Sequence, residues 1–205
     1  MKTYTITKKD LNDKNEYIGI EDLSCFDGNI EAVENLGTIK FSRLIASGYI
    51  CFKVGSGIKA DCGIKAGWSI KAGECIKAGC GIKAGCGIKA GEGIEAGSGI
   101  EAGECIEAGE CIEAGSGIKA GCGIEAGLSI YCQWISSKMR IFAGTTVCKM
   151  PTEKETQIVC EEVRDGEICF GTLVLTVPKK STVTILVDGK ETIISRESAV
   201  ALNLI

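Results

Sequence analysis

From Ile58 to Ile130 an isoleucine recurs at every sixth position without a slip, and the positions between are ordered as strictly. Lys or Glu follows each Ile, Ala comes next at all 12 sites from Ala60 to Ala126, and Gly follows at 11 of the 12, Asp61 being the exception. A six-residue hydrophobic period fits neither an amphipathic helix, at about 3.6 residues per turn, nor one long strand. It predicts a coiled β-solenoid in which each hexad supplies one short strand and one corner. Three hexads then close a triangular coil of 18 residues, and successive coils stack at about 4.8 Å. One hexad alone buries nothing, so the stack must form as a unit.

Alternation along each strand places Ile and Ala inward and Lys or Glu outward. The Gly after Ala is expected at the corner, where a positive φ is cheap for Gly. A rival registration would turn inward the residue two before each Ile, a set that contains Glu74, Glu92, Glu104 and Glu110. Burying four unpaired carboxylates would cost several kcal/mol each, which excludes it. The same position also holds Cys62, Cys80, Cys86, Cys122, Ser56, Ser98, Ser116, Trp68 and Leu128, the tolerance of an exposed corner.

The array resembles the hexapeptide-repeat proteins over residues 54–130, and more loosely over 39–148. The resemblance implies an all-β fold of single-stranded parallel β-solenoid type, the left-handed triangular β-helix. The invariant small residue lies two places after Ile here, whereas that family carries it four places after, so handedness stays open. Right-handed, bactofilin-like solenoids are the other arrangement. Outside the array the beat loosens. Residues 1–38 are expected to form an N-terminal cap module with a turn at Asp27-Gly28. The solenoid is expected over 39–148, with Ile135, Ile141 and Val147 as its last inward residues. A C-terminal antiparallel β module is expected over 149–205, with hairpin turns at Asp165-Gly166 and Asp188-Gly189.

Acyltransferases of the resembled family use a histidine base, and its carbonic anhydrases hold zinc with histidines. This chain has no histidine, which removes the commonest side chain for acid–base work near neutral pH and for nitrogen ligation of metals. There is also no GxSxG, no GxxxxGK[ST] and no GxGxxG opening a helix. A non-enzymatic protein without cofactor or metal is therefore expected. Of the 13 cysteines, seven lie in the array, four at corners and three just before Ile, where Gly and Ser substitute for them, and no CxxC occurs. They are expected to be small reduced fillers, although Cys62 and Cys80, one coil apart, could be close enough to oxidise. The polar N-terminal stretch shows no signal-peptide pattern, and a soluble, cytoplasmic protein without membrane contact is expected.

Charge order carries the remaining information. Numbering by 18, the outward residues form three ladders: Lys59, Lys77, Glu95, Glu113; Lys65, Lys83, Glu101, Lys119; and Lys71, Lys89, Glu107, Glu125. Lysine coils give way to glutamate coils, with favourable junctions expected at Lys77–Glu95, Lys83–Glu101 and Lys89–Glu107. Glu74, Glu92 and Glu110 add one corner and Glu104 a second, so that Gly91 to Ile130 holds eight Glu and one Lys.

These nine carboxylates, Glu74, Glu92, Glu95, Glu101, Glu104, Glu107, Glu110, Glu113 and Glu125, are the candidate partner-binding residues. Their expected partner is a protein with a basic surface, such as a nucleic-acid groove. The matching function class is a phage or mobile-element inhibitor of DNA-mimic or anti-CRISPR type. The alternatives are a self-assembling scaffold and a divergent transferase. Direct nucleic-acid binding is disfavoured, because the basic coils from Lys59 to Lys89 carry no arginine and few aromatics to stack on bases. A homodimer or homotrimer is compatible with such a rod.

Overall fold

A computed structural model describes residues 1–176 and the backbone of two further strands, Thr182–Val187 and Lys190–Ser195. The chain divides into two units, Met1–Val174 and Leu175–Ile205. The first is a parallel β-solenoid. In the second, the two strands pair antiparallel, with Val187 opposite Lys190; the expected turn at Asp188-Gly189 lies outside the described residues.

The regular coils have three faces. The first carries Ser56–Ala60, Ile76–Ala78, Ile94–Ala96 and Ile112–Ala114; the second Ile64–Ala66, Ile82–Ala84, Ile100–Ala102 and Gly117–Ala120; the third Ile70–Ala72, Ile88–Ala90, Ile106–Ala108 and Ile124–Ala126. Every pairing along a face is parallel and in register, as in Ile64, Ile82, Ile100 and Ile118. The inward reading of Ile and Ala holds throughout. Array isoleucines are at most 1% exposed and the alanines at most 9%, so each hexad buries two side chains and the coils share one continuous core.

The corner glycines are required for a different reason from the one expected. None of those following Ala in the array has a positive φ. Instead, a Cβ on Gly79, Gly85, Gly97 or Gly103 would run into the backbone carbonyl of the residue one coil below: Asp61, Gly67, Gly79 and Gly85 respectively. Close stacking of backbones at the corner, not torsional freedom, excludes a side chain. The residue at Asp61 escapes because the corner beneath it, Ser42-Arg43 between Phe41 and Leu44, is one residue shorter than a regular corner. Gly81 and Gly93, just before Ile, have more room, with the nearest atom to a Cβ at 3.2 and 3.3 Å, whereas the space at Gly117 is taken by the Trp134 ring. Cys105, Cys111 and Ser129 occupy the equivalent positions.

The solenoid extends beyond both expected boundaries. Thr3–Ile6 pairs in parallel with Asn29–Ala32, and that strand pairs with Ile50–Phe52, so residues 1–38 supply coils rather than a separate module. Asp27-Gly28 is a bend leading into the Asn29–Ala32 strand. These first coils are wider. Phe41 stands where Ala60 stands one coil above, and it packs with Phe52 and Tyr17 at ring separations of 6.0 and 5.8 Å. Ser56, placed at an exposed corner by its hexad position, is buried and bonds the backbone of Glu34 and Leu36.

At the other end, Trp134–Ala143 pairs with both Gly117–Ala120 and Ile124–Ala126, carrying the chain around a corner without a break. Gln157–Cys160, Glu162–Phe170 and Thr172–Leu175 then continue the stack. Ile135 and Ile141 are inward as expected, whereas Val147 is 97% exposed in the segment that leaves the coil after Ala143. Asp165-Gly166 forms no hairpin. It lies within Glu162–Phe170, which runs parallel to Trp134–Ala143 with register shifts at that point.

Candidate protein-interaction surface

The fold sorts the nine candidate carboxylates by face. Glu95 and Glu113 stand on the first face, Glu101 on the second, and Glu107 and Glu125 on the third. Glu74, Glu92 and Glu110 stack on the corner between the third and first faces, held by the ladder bond from Glu110 N–H to the Glu92 carbonyl at 3.2 Å. Seven of the nine therefore wrap one corner and its two flanks. Glu101, on the second face, and Glu104, at the corner between the second and third faces, are not part of that surface.

The three predicted junctions all form. Lys77 reaches Glu95 at 2.8 Å, Lys83 reaches Glu101 at 2.7 Å and Lys89 reaches Glu107 at 2.6 Å. Each pair spans one coil, which is why the spacing of 18 revealed it. Lys83, with Lys119 further off at 3.9 Å, holds Glu101 below its usual carboxylate range. These pairs are solvent-exposed and contribute about 0–1 kcal/mol each. Their consequence for the surface is larger, because Glu95, Glu101 and Glu107 are already neutralised.

Of the nine candidates, Glu74, Glu92, Glu104, Glu110, Glu113 and Glu125 have no ion pair among the described residues. Glu92 accepts the Cys75 thiol at 3.1 Å; burial foremost, then this carboxylate, pushes that thiol up. Glu125 accepts the Thr145 hydroxyl at 3.0 Å. That contact belongs to the segment after Ala143, which bonds the last corner through Gly144 and Thr146 N–H groups and leaves Leu128 buried. Leu128 is thus covered from within the chain. Trp134 is half-buried, stacked at 4.1 Å by Arg164, and Trp68 remains 54% exposed.

One feature escaped the hexad reading. Gly63, Gly81, Gly99 and Gly117 stack just before the second-face isoleucines, and their missing side chains leave a groove of 640 Å³. Lys65, Lys83 and Lys119 border it, with Arg43 at one end and Trp134 at the other. The sequence signal was present: this is the one column before Ile that is Gly at every rung. Among the described residues, no three of His, Cys, Asp and Glu converge as metal ligands would. No described helix is long and apolar enough to cross a membrane.

Fold and surface together define the class as a parallel β-solenoid with a segregated charge ladder. Comparison with protein-family models, with curated proteins and with solved structures finds no match to the chain.

Proposed function

We propose that this protein is a non-enzymatic binding protein whose acidic corner engages a partner with a basic surface. The observation that carries the reading is the ridge of Glu74, Glu92 and Glu110, flanked by Glu113 and Glu125, none of which has an ion-pair partner among the described residues. Coils about 4.8 Å apart hold these carboxylates at fixed intervals on a scaffold that need not be ordered on binding. These five carboxylates fall within roughly 14 Å of axis, or about one per 3 Å, against one charge per ~3.4 Å along a single strand of duplex DNA. Such a ridge competes for phosphate-binding Lys and Arg, which supports a nucleic-acid-handling protein as the partner and inhibition of DNA-mimic type as the action.

The test replaces Glu74, Glu92 and Glu110 with Gln in the full chain and measures inhibition of nucleic-acid binding by proteins retained on the immobilised wild type. Loss of both retention and inhibition is expected, with wild-type complexes dissociating in high salt. Equal retention by the substituted chain would reject the reading.

A further inference from the structure

The charge order on the first face has a symmetry that binding a foreign partner does not require. Reading up successive rungs, the outward residues are Lys40, Lys59, Lys77, Glu95, Glu113 and Tyr131. Turned end for end about a two-fold axis between Lys77 and Glu95, the four charged rungs from Lys59 to Glu113 become their own complement, whereas the outermost rungs of the column, Glu16 and Val159, do not. We propose that two copies of the chain pair through the first face, antiparallel, about that axis. Lys59 of one copy then meets Glu113 of the other, Lys77 meets Glu95, and Lys40 meets the ring of Tyr131. Each contact occurs twice, as an isologous interface demands.

Within one chain Lys77 and Glu95 already pair at 2.8 Å, whereas Lys59 and Glu113 at the outer rungs have no ion pair among the described residues. The second copy supplies those missing partners. A parallel arrangement in register would set Lys against Lys and Glu against Glu, so the column selects orientation as well as face.

The other faces fit less well. On the second, the order Lys65, Lys83, Glu101, Lys119 opposes Lys65 to Lys119 when reversed. The third face repeats the favourable order, but Glu125 is engaged by Thr145 from the segment after Ala143. The two-fold axis runs along the strands, so it brings the acidic corners of both copies to the same edge. With packed sheets about 10 Å apart and a screening length of about 8 Å at physiological salt, their repulsion is damped. Glu74, Glu92 and Glu110 stay on the surface in the pair while Glu113 is taken up by it, which leaves the corner and its third-face flank to the partner proposed above.

Sedimentation of the full chain across protein concentration, at low and high salt, tests the proposal with two charge-swapped chains. K59E/K77E makes the central four rungs all acidic; E95K/E113K makes them all basic. Expected are a wild-type dimer at low salt that dissociates at high salt, self-association weakened roughly tenfold or more in each variant, and a heterodimer when the two are mixed. Wild type that stays monomeric throughout, variants that self-associate as wild type does, or a mixture no larger than its components would each overturn it. Should the double variants fail to fold, K59E and E113K alone, which remove no ion pair within the chain, carry the same test.

Discussion

Replacing Gly97 by Ala adds one methyl group at a corner where the backbone of the next coil leaves it no room. The new Cβ would collide with the carbonyl of Gly79, and a backbone atom cannot rotate aside as a side chain does. Relief requires the two coils to part locally. The bonds nearest the collision are Gly97 N–H to the Ala78 carbonyl at 2.9 Å and Ser98 N–H to the Cys80 carbonyl at 3.1 Å. Weakening both costs about 1–3 kcal/mol, and loosened packing of the adjacent Ile and Ala layers adds to it, against a gain of about 0.4–1 kcal/mol from a stiffer unfolded chain. A net loss of about 2–3 kcal/mol is expected, read as a fall in the urea midpoint by circular dichroism. Gly93→Ala is the control, because its Cβ meets the Cys111 carbonyl at 3.3 Å and larger residues occupy that position in other coils. Its cost is expected below about 1 kcal/mol. Equal destabilisation by the two substitutions, or none by Gly97→Ala, would refute the close-approach account of the corner.

Ile100→Ala, at 1% exposure in the middle of the core, is expected to cost about 2–5 kcal/mol in the same unfolding assay, whereas Lys83→Gln should cost less than about 1 kcal/mol. The carboxyl of Glu155 is drawn down to about 2 by Lys149 first and then by the Thr152 N–H and hydroxyl. Its folded value lies below the ordinary 4.5, so its contribution is complete above that pH and is lost as pH falls toward about 2. An NMR titration should show that midpoint, and Lys149→Gln should raise it. Burial, and then the neighbouring Cys160, push the Cys132 thiol up to about 12. Brief alkylation at neutral pH, read by peptide mass spectrometry, should therefore mark exposed Cys25, Cys80, Cys148 and Cys169 and spare Cys132 and buried Cys160.

Where contacts repeat, the amino-acid sequence exposes them directly. A residue and its neighbour one coil above are 18 apart, so inward Ile and Ala, the outward ladders and all three Lys–Glu junctions follow from counting. The same counting also finds the stacked corner of Glu74, Glu92 and Glu110. Legibility ends where coil length changes. Ile39 lies beneath Ile58 and Leu44 beneath Ile64, spacings of 19 and 20 that hide the first coils from a six-residue beat. There Phe41 takes an Ala site and the core is filled by rings, a solution that hydrophobic period alone does not reveal.

Asp165-Gly166 misled for a related reason. Its dipeptide chemistry suits a hairpin, but the ladder offered by Trp134–Ala143 keeps the chain extended and only bends it there. The purpose of the corner glycines was hidden because it resides in contact between residues far apart in the chain. Torsional preference, the local argument, pointed elsewhere. As for the site, which carboxylates stay without an ion pair depends on where each ladder changes sign. Glu95, Glu101 and Glu107 fall where the ladders change sign, so the predicted junctions with the lysines beneath them neutralise three of the nine candidates.

The invariant residues of the hexad build the solenoid, and the proposed binding rests on the charges that vary upon it. Glu74→Gln, Glu92→Gln and Glu110→Gln combined in one full-length chain separate the two most directly when thermal unfolding and partner retention are measured together. Unfolding within a few degrees of wild type is expected, since those carboxylates hold no ion pair among the described residues, together with loss of retention. Retention unchanged in a chain that unfolds like wild type would contradict the proposed binding.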